Sequence, residues 1–245
     1  MFIFGDKSSQ EMRLNCMQYT LQHGADRSYN EMNVGGKLEP ILEVQEAMHP
    51  VAVTVECDVI GEDVLEQVER VKGWLFNAGK GILIDERQPD RYRTATAAGA
   101  IQVRMICDTM ARLRVTFICS ALLYAVDNNP VTVTESGEIV GNAGTVYSEP
   151  VYKLHMLPYS ADSAGIVNFF SGGNYITLDL TEAEHYNHVI VLDAVRQMVY
   201  YDDTKASIMP VTTGIVPQLA AGNSAISWDR DIINFVEIIK NERYV

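Results

Sequence analysis

His185 and His188 stand three positions apart, with Asp179, Glu182 and Glu184 beside them. Imidazole and carboxylate groups are the ligands that hold zinc and related cations. A metal centre needs three or four of them converging, and these fall in a short polar stretch between two predicted strands, where an exposed turn accounts for them. No metal ligand is expected here. His23, His49 and His155 are isolated and read as surface or packing residues. Asp85 and Glu86 are adjacent carboxylates that could be taken as an acid–base pair, but neighbours on a strand point to opposite faces. A solvated turn explains them. The sequence has no G-x-S-x-G elbow, no phosphate-cradling G-x-x-x-x-G-K-[ST] loop, no G-x-G-x-x-G and no H-E-x-x-H. No catalytic residue and no cofactor site is expected, and the chain does not read as an enzyme.

What remains is cationic. Arg87, Arg91, Arg93, Arg104, Arg112 and Arg114 lie close together in the sequence, interspersed with Asp85, Glu86, Asp90 and Asp108. They could line a phosphate-facing surface, or make salt bridges within the chain or between subunits, a use for which arginine is the preferred cation. Arg87, Arg91, Arg93 and Arg104 are the candidates for a subunit interface. The 245-residue chain as a whole carries 32 acids against 19 bases, a net charge of -13, which argues against a dedicated nucleic-acid binder. The bases concentrate before Asn128, with 13 bases and 18 acids there against 6 and 14 beyond it. In the second half Tyr147, Tyr152, Tyr159, Tyr175, Tyr200, Tyr201 and Trp228 could furnish a sugar-binding face or pack a core and subunit contacts.

The elements that must position these groups are mostly strands. Val51, Val53, Val55, Cys57 and Val59 alternate with other residues, the period of a strand with one buried face. Val64, Leu65, Val68, Val71 and Leu75 then recur at helical spacing, which predicts one amphipathic helix over about 63–78 resting on a sheet, with Trp74 and Phe76 widening its apolar face. Asp63 and Glu66 suggest a capping box, and Gly79 a C-terminal cap. Strands are predicted at 81–85, 101–105 and 112–119, the last two alternating. Asp127-Asn-Asn-Pro130 is a dense turn signal and the expected boundary between domains 1–128 and 129–245. Beyond it, short strands at 131–134, 151–157, 175–180, 188–193, 195–201 and 232–239 are separated by turn residues, Gly172-Gly173-Asn174 among them, at the spacing of a β-sandwich. The fold class is mainly β: an α+β N-terminal domain and an all-β C-terminal sandwich. Cys16, Cys57, Cys107 and Cys119 show no C-x-x-C pair; three of them fall at alternating apolar positions and read as small buried hydrophobes in a protein made in a reducing compartment. The longest apolar run, 117–126, is far short of a membrane span, and no signal peptide is expected ahead of Gly5.

The order of these pieces resembles a known family. It is carried by Phe4-Gly-Asp-Lys-Ser-Ser-Gln-Glu-Met12, by Val71-Lys-Gly-Trp-Leu-Phe-Asn-Ala-Gly-Lys-Gly-Ile-Leu-Ile-Asp-Glu-Arg-Gln-Pro-Asp-Arg-Tyr-Arg-Thr-Ala95 and by Val115-Thr-Phe-Ile-Cys-Ser-Ala-Leu-Leu-Tyr124. The second half adds Asn142-Ala-Gly-Thr-Val-Tyr-Ser-Glu-Pro150 and Ile226-Ser-Trp-Asp-Arg-Asp-Ile-Ile-Asn-Phe-Val-Glu-Ile-Ile239. Together these are similar to the distal tail protein (Dit) family of long-tailed bacteriophages. Two family features are absent, an Arg-Asp-Gly element near Val34-Gly-Gly-Lys37 and a Pro soon after Cys119.

The resemblance implies a non-enzymatic structural protein of the virion, located at the phage tail tip and in the host cytoplasm during assembly. Its N-terminal domains would close into a homo-hexameric ring at the end of the tail tube, with galectin-like or carbohydrate-binding-module-like sandwiches projecting outward. The implied partners are further copies of itself, the tail-tube protein, the tail-associated lysin or tail fibre hub, and receptor-binding proteins around the rim. DNA would pass through without specific binding, which a net negative protein suits, and no membrane is involved. A carbohydrate-binding sandwich module is the alternative reading.

Overall fold

The computed structural model describes residues 1–21, 26–33, 38–209 and 212–245, and the side chains of all of these except 21, 45–47 and 100. His23 and the 34–37 segment lie outside them. The chain divides into two compact units, Met1–Val126 and Asp127–Tyr244.

The first unit contains β1 (Phe2–Phe4), β2 (Lys7–Ser8), β3 (Asn15–Leu21), β4 (Arg27–Met32), β5 (Ile41–Met48), β6 (Val51–Ile60), helix α1 (Val64–Ala78), β7 (Lys80–Asp85), β8 (Arg91–Cys107), β9 (Met110–Cys119) and β10 (Leu123–Ala125). Its main sheet is antiparallel in the order β2-β1-β7-β8-β9-β6-β3, with β10 pairing the start of β8. Strands β4 and β5 form a separate two-stranded sheet. The alternating Val51, Val53, Val55, Cys57 and Val59 are all buried and meet the stripe Val64, Val68, Val71 and Leu75 of α1. Phe2, Phe4, Trp74 and Phe117 fill the centre, Phe4 and Phe117 with ring centroids 4.9 Å apart.

Several local expectations give way here. Asp63 is the N-cap of α1 but makes no side-chain capping bond. Glu66 turns instead to Arg70, 2.8 Å away across one helical turn. Gly79 does end the helix, at φ 57°. Leu65 and Phe76, assigned to the apolar face by type, are 66% and 87% exposed, because the sheet covers only the stripe of Val64, Val68, Val71, Trp74 and Leu75. Alternation in 101–105 marks a strand but does not bury it. The ladder between β8 and β9 shifts register between Ala98 and Gln102, where Gly99 sits at φ 76°, and such a bulge re-aims the strand beyond it. Val103, Met105 and Ile106 are consequently exposed, and so is Cys107, one of the cysteines read as buried; Cys57 and Cys119 are in the core.

The second unit is a sandwich of two five-stranded antiparallel sheets. It contains β11 (Val131–Val133), β12 (Glu138–Asn142), β13 (Val151–Met156), β14 (Gly165–Ser171), β15 (Asn174–Leu180), β16 (Ile190–Asp193), β17 (Met198–Tyr201), β18 (Thr212–Gly214), β19 (Gly222–Trp228) and β20 (Ile233–Ile239). The orders are β11-β20-β13-β16-β17 and β12-β19-β14-β15-β18. Their inner faces share one core, where Tyr152 of the first sheet donates its hydroxyl hydrogen to Ser171 Oγ of the second at 2.9 Å. Gly172 and Gly173, at φ 58° and 89°, make the two-residue turn joining β14 to β15. The strand expected at 188–193 begins only at Ile190, after a 3-10 helix over Ala183–Asn187. The strand expected at 195–201 begins at Met198, because 194–197 turn the chain and Arg196 donates its backbone N–H to Asp193.

Candidate subunit interface

The arginine-rich segment folds around the turn from β7 to β8. Backbone bonds from Gln88 to the Asp85 carbonyl (2.8 Å) and from Arg91 to the Gln88 carbonyl (3.1 Å) close that turn. Asp85 and Glu86, at its entry, turn to different partners. Asp85 accepts the Arg87 guanidinium at 3.0 and 3.1 Å, whereas Glu86 lies 3.0 Å from the N-terminal ammonium of Met1. The Arg87 fork also stacks over Tyr19, 4.6 Å from the ring centre. Arg91 Nε lies 3.4 Å from the Asp90 carboxylate.

Arg93 is different in kind. It is 8% exposed and donates from Nη1 to the Ser120 carbonyl at 2.7 Å and to the Ala121 carbonyl. Burial holds its guanidinium below the ordinary arginine value. Arg87, Arg91 and Arg93 thus converge, with Tyr19 and Asp85, on a cleft of about 430 Å³. Arg104 does not line it; it stands on the exposed far part of β8, opposite Arg112. Arg112 is itself held on Asp58 at 2.8 and 3.0 Å, and Arg114 lies 3.7 Å from Glu56. Asp58/Arg112 and Glu56/Arg114 are directly opposite pairs in the β6–β9 ladder, as are Thr54 and Thr116, whose hydroxyls are 3.1 Å apart. These charges are therefore answered within the sheet.

The apolar part of the surface is the feature that sequence reasoning missed. On the two-stranded sheet, Tyr29, Leu42 and Val44 are 63%, 58% and 60% exposed, and Met32 and Ile41 are exposed as well. A lone hairpin is at best marginally stable in water. Here Tyr29, Leu42 and Val44 share one face of the pair, and Met32 and Ile41 lie on the other. Their signal in the sequence is the cluster of Tyr29, Met32, Ile41, Leu42 and Val44 itself, which has neither a helical period nor strict alternation. Val103, Met105 and Ile106 on the far part of β8 are exposed as well.

In the second unit His185 and His188 turn to different partners. His185 is buried with Nδ1 2.6 Å from the Tyr201 hydroxyl, while His188 Nδ1 is 2.8 Å from the Asp203 carboxylate. Asp179 is engaged by Thr181, and among the described residues no three His, Cys, Asp or Glu side chains gather around one point. The aromatic residues divide similarly. Tyr152, Tyr201 and Trp228 belong to the sandwich core, whereas Tyr147, Tyr159 and Tyr175 are exposed. Tyr147 is covered by the Arg243 guanidinium 4.9 Å from its ring centre, and Tyr159 meets Tyr186 edge-on at 5.3 Å.

No protein-family model matches the chain, and no curated protein matches it. Among solved structures it is similar to the Dit protein (gp 19.1) of SPP1, a paradigm of the hub adsorption apparatus in phages that infect Gram-positive bacteria. The likeness covers 100% of this chain and 98% of that one, at a TM-score of 0.78 and 10% sequence identity. From its first strand to its last, the chain has the mainly β fold of a phage distal tail protein.

Proposed function

We propose that the protein is a structural hub of a phage tail, closing as a homo-hexameric ring at the end of the tail tube. The observation that carries this reading is the set of exposed apolar side chains, Tyr29, Met32, Ile41, Leu42 and Val44, on the β4–β5 sheet of a unit with hub-protein fold. In a ring each subunit presents two different complementary patches, and a neighbouring copy is the occupant this sheet fits. Arg87 and Arg91 at the β7–β8 turn and Arg104 on the far part of β8 serve further contacts in the ring, where arginine forks meet acidic side chains of a neighbouring subunit. Arg93 holds the β8 end of the cleft from within. One face of the ring meets the tail-tube protein and the other the tail-associated lysin or fibre hub, with receptor-binding proteins attached at the edge and DNA passing through ungripped. The protein works in the virion tail tip after assembly in the host cytoplasm, and its role involves no catalysis.

The test is the solution mass of the full chain by size exclusion with light scattering, followed by negative-stain imaging. A sixfold mass with ring-shaped particles is expected. A chain that stays monomeric at all accessible concentrations and in the presence of assembled tail tubes refutes the reading.

A further inference from the structure

The edge strand β3 and its neighbour β6 bring two cysteines face to face. Cys16 and Cys57 are directly opposite in the antiparallel register, and their Sγ atoms are 2.9 Å apart. A disulfide requires about 2.05 Å, so closure asks for a movement of about 0.9 Å. The ladder shifts register immediately after Cys16, at Met17, which leaves the backbone there less constrained than in a regular ladder. Cys57 is in the core, while Cys16 is half-buried and opens onto a shallow cleft it shares with Met1, Gln18, Tyr19 and Arg87. The two sulfurs therefore differ in access: a reagent can reach Cys16, and Cys57 waits behind it. The other two thiols have no such neighbour. Cys107 Sγ lies 3.6 Å from the Thr109 hydroxyl, and buried Cys119 faces the Phe117 carbonyl.

We infer that Cys16 and Cys57 form a disulfide that staples the edge strand of the first unit once the protein meets a low-molecular-mass disulfide. The step balances as thiol–disulfide exchange. The Cys16 thiolate attacks one sulfur of the small disulfide and displaces a thiolate, giving a mixed disulfide at Cys16. Cys57, deprotonated, then attacks Cys16 Sγ, the second small thiolate leaves, and the two protons from the cysteines end on the two released thiols. The oxidant gains two electrons and the protein loses two hydrogens. The electrostatics agree with this order: with Cys57 as hydrogen donor, the Cys16 thiolate is held below the ordinary thiol range, and the same contact and burial push Cys57 up. In a reducing cytoplasm both stay thiols; outside it the bond closes. The inference stands on the geometry of the first unit and does not depend on the hub reading.

The test uses the full chain carrying Cys107→Ser, which removes the exposed thiol. It is incubated with oxidised glutathione, then alkylated in denaturant and weighed intact. The expected protein lacks two hydrogens and carries one alkyl group, and a non-reducing peptide map links the Cys16 and Cys57 peptides. Its thermal midpoint rises by several degrees and returns with dithiothreitol. Adding Cys16→Ser, a half-buried position that leaves the core intact, abolishes both effects. Three alkylated cysteines after oxidation, or a glutathione adduct that persists on Cys16 without displacement by Cys57, overturns the inference.

Discussion

Replacing Leu42 and Val44 together by lysine separates assembly from folding. In the β4–β5 register Leu42 is opposite Glu31 and Val44 is opposite Tyr29. Lysine at 42 gains an opposite charge and lysine at 44 an aromatic face, whereas aspartate at 42 would add a like charge beside Glu31. Both positions are largely exposed in the single chain, so the cost to folding is within about 0.5 kcal/mol. That moves the thermal midpoint by no more than about 4 °C. The interface loses far more. Full burial of a Leu or Val side chain stabilises by about 1.5–3 kcal/mol. With 58% and 60% of the two residues still exposed, a neighbour that completes their burial gains about 1–2 kcal/mol from each. Losing both weakens each contact by about 30- to 700-fold, before the desolvation of two ammonium groups is counted. Light scattering across a concentration series should therefore show the double variant as monomer where the parent is a ring, with a thermal midpoint within about 4 °C of the parent's when both are diluted to monomer. A variant that still forms rings with the parent's concentration dependence would refute the assignment of this sheet to the interface, as would a melting loss well above about 4 °C between the two diluted to monomer.

Three further outcomes follow from individual contacts. Arg93→Met strips the Ser120 and Ala121 carbonyls of a buried donor and should cost about 1–3 kcal/mol in urea unfolding of the monomer, whereas Arg104→Glu should leave the monomer's unfolding unchanged while reducing assembly; similar losses of stability in both would contradict the placement of Arg93 inside and Arg104 outside. The Arg112 guanidinium holds the Asp58 carboxyl below its ordinary value, so that group's contribution is fully present above the unfolded value near 3.8 and is lost as pH falls through the lower folded value. Urea midpoints measured from pH 5 downward should therefore drop below about pH 4 less steeply in Asp58→Asn than in the parent, and parallel profiles would exclude the linkage. Tyr152→Phe removes one buried hydrogen bond between the two sheets of the sandwich but leaves Ser171 bonded to the Gln218 carbonyl, so calorimetry should find a loss of about 0.5–1.5 kcal/mol confined to the transition of the second unit, and a loss above about 3 kcal/mol would mean that the core itself had moved.

Much of the architecture is legible in local pattern, and the reason is periodicity. An element that buries one face must repeat its apolar residues at the period of its backbone, as β6 does at two and α1 at 3.6. The turn residues at 127–130 and 172–174 are legible for the same kind of reason, since few residue types tolerate those conformations. The pattern fails where the inward positions are not uniformly apolar. β14 points Val167, Phe169 and Ser171 inward, and β19 points Ser224, Ile226 and Trp228, so two central strands of the sandwich escape a search for alternating hydrophobes.

The amino-acid sequence by itself determined the class of this protein: a mainly β chain with a single amphipathic helix and no motif of catalysis. Its run of arginines is likewise visible there, but not what each one touches. Arg93 is an internal clamp, Arg112 belongs to Asp58, and Arg104 is exposed, because a strand's partner is chosen by register with residues far away in the chain. Only the tertiary structure decided that the helix buries five apolar positions and leaves Leu65 and Phe76 outside, and that Tyr29, Met32, Ile41, Leu42 and Val44 of the β4–β5 sheet stand exposed among the described residues. It alone set Cys16 against Cys57 across 41 positions. Local periodicity reports which face of an element turns away from water; which surface meets it, or whether any does, is a property of the pairing.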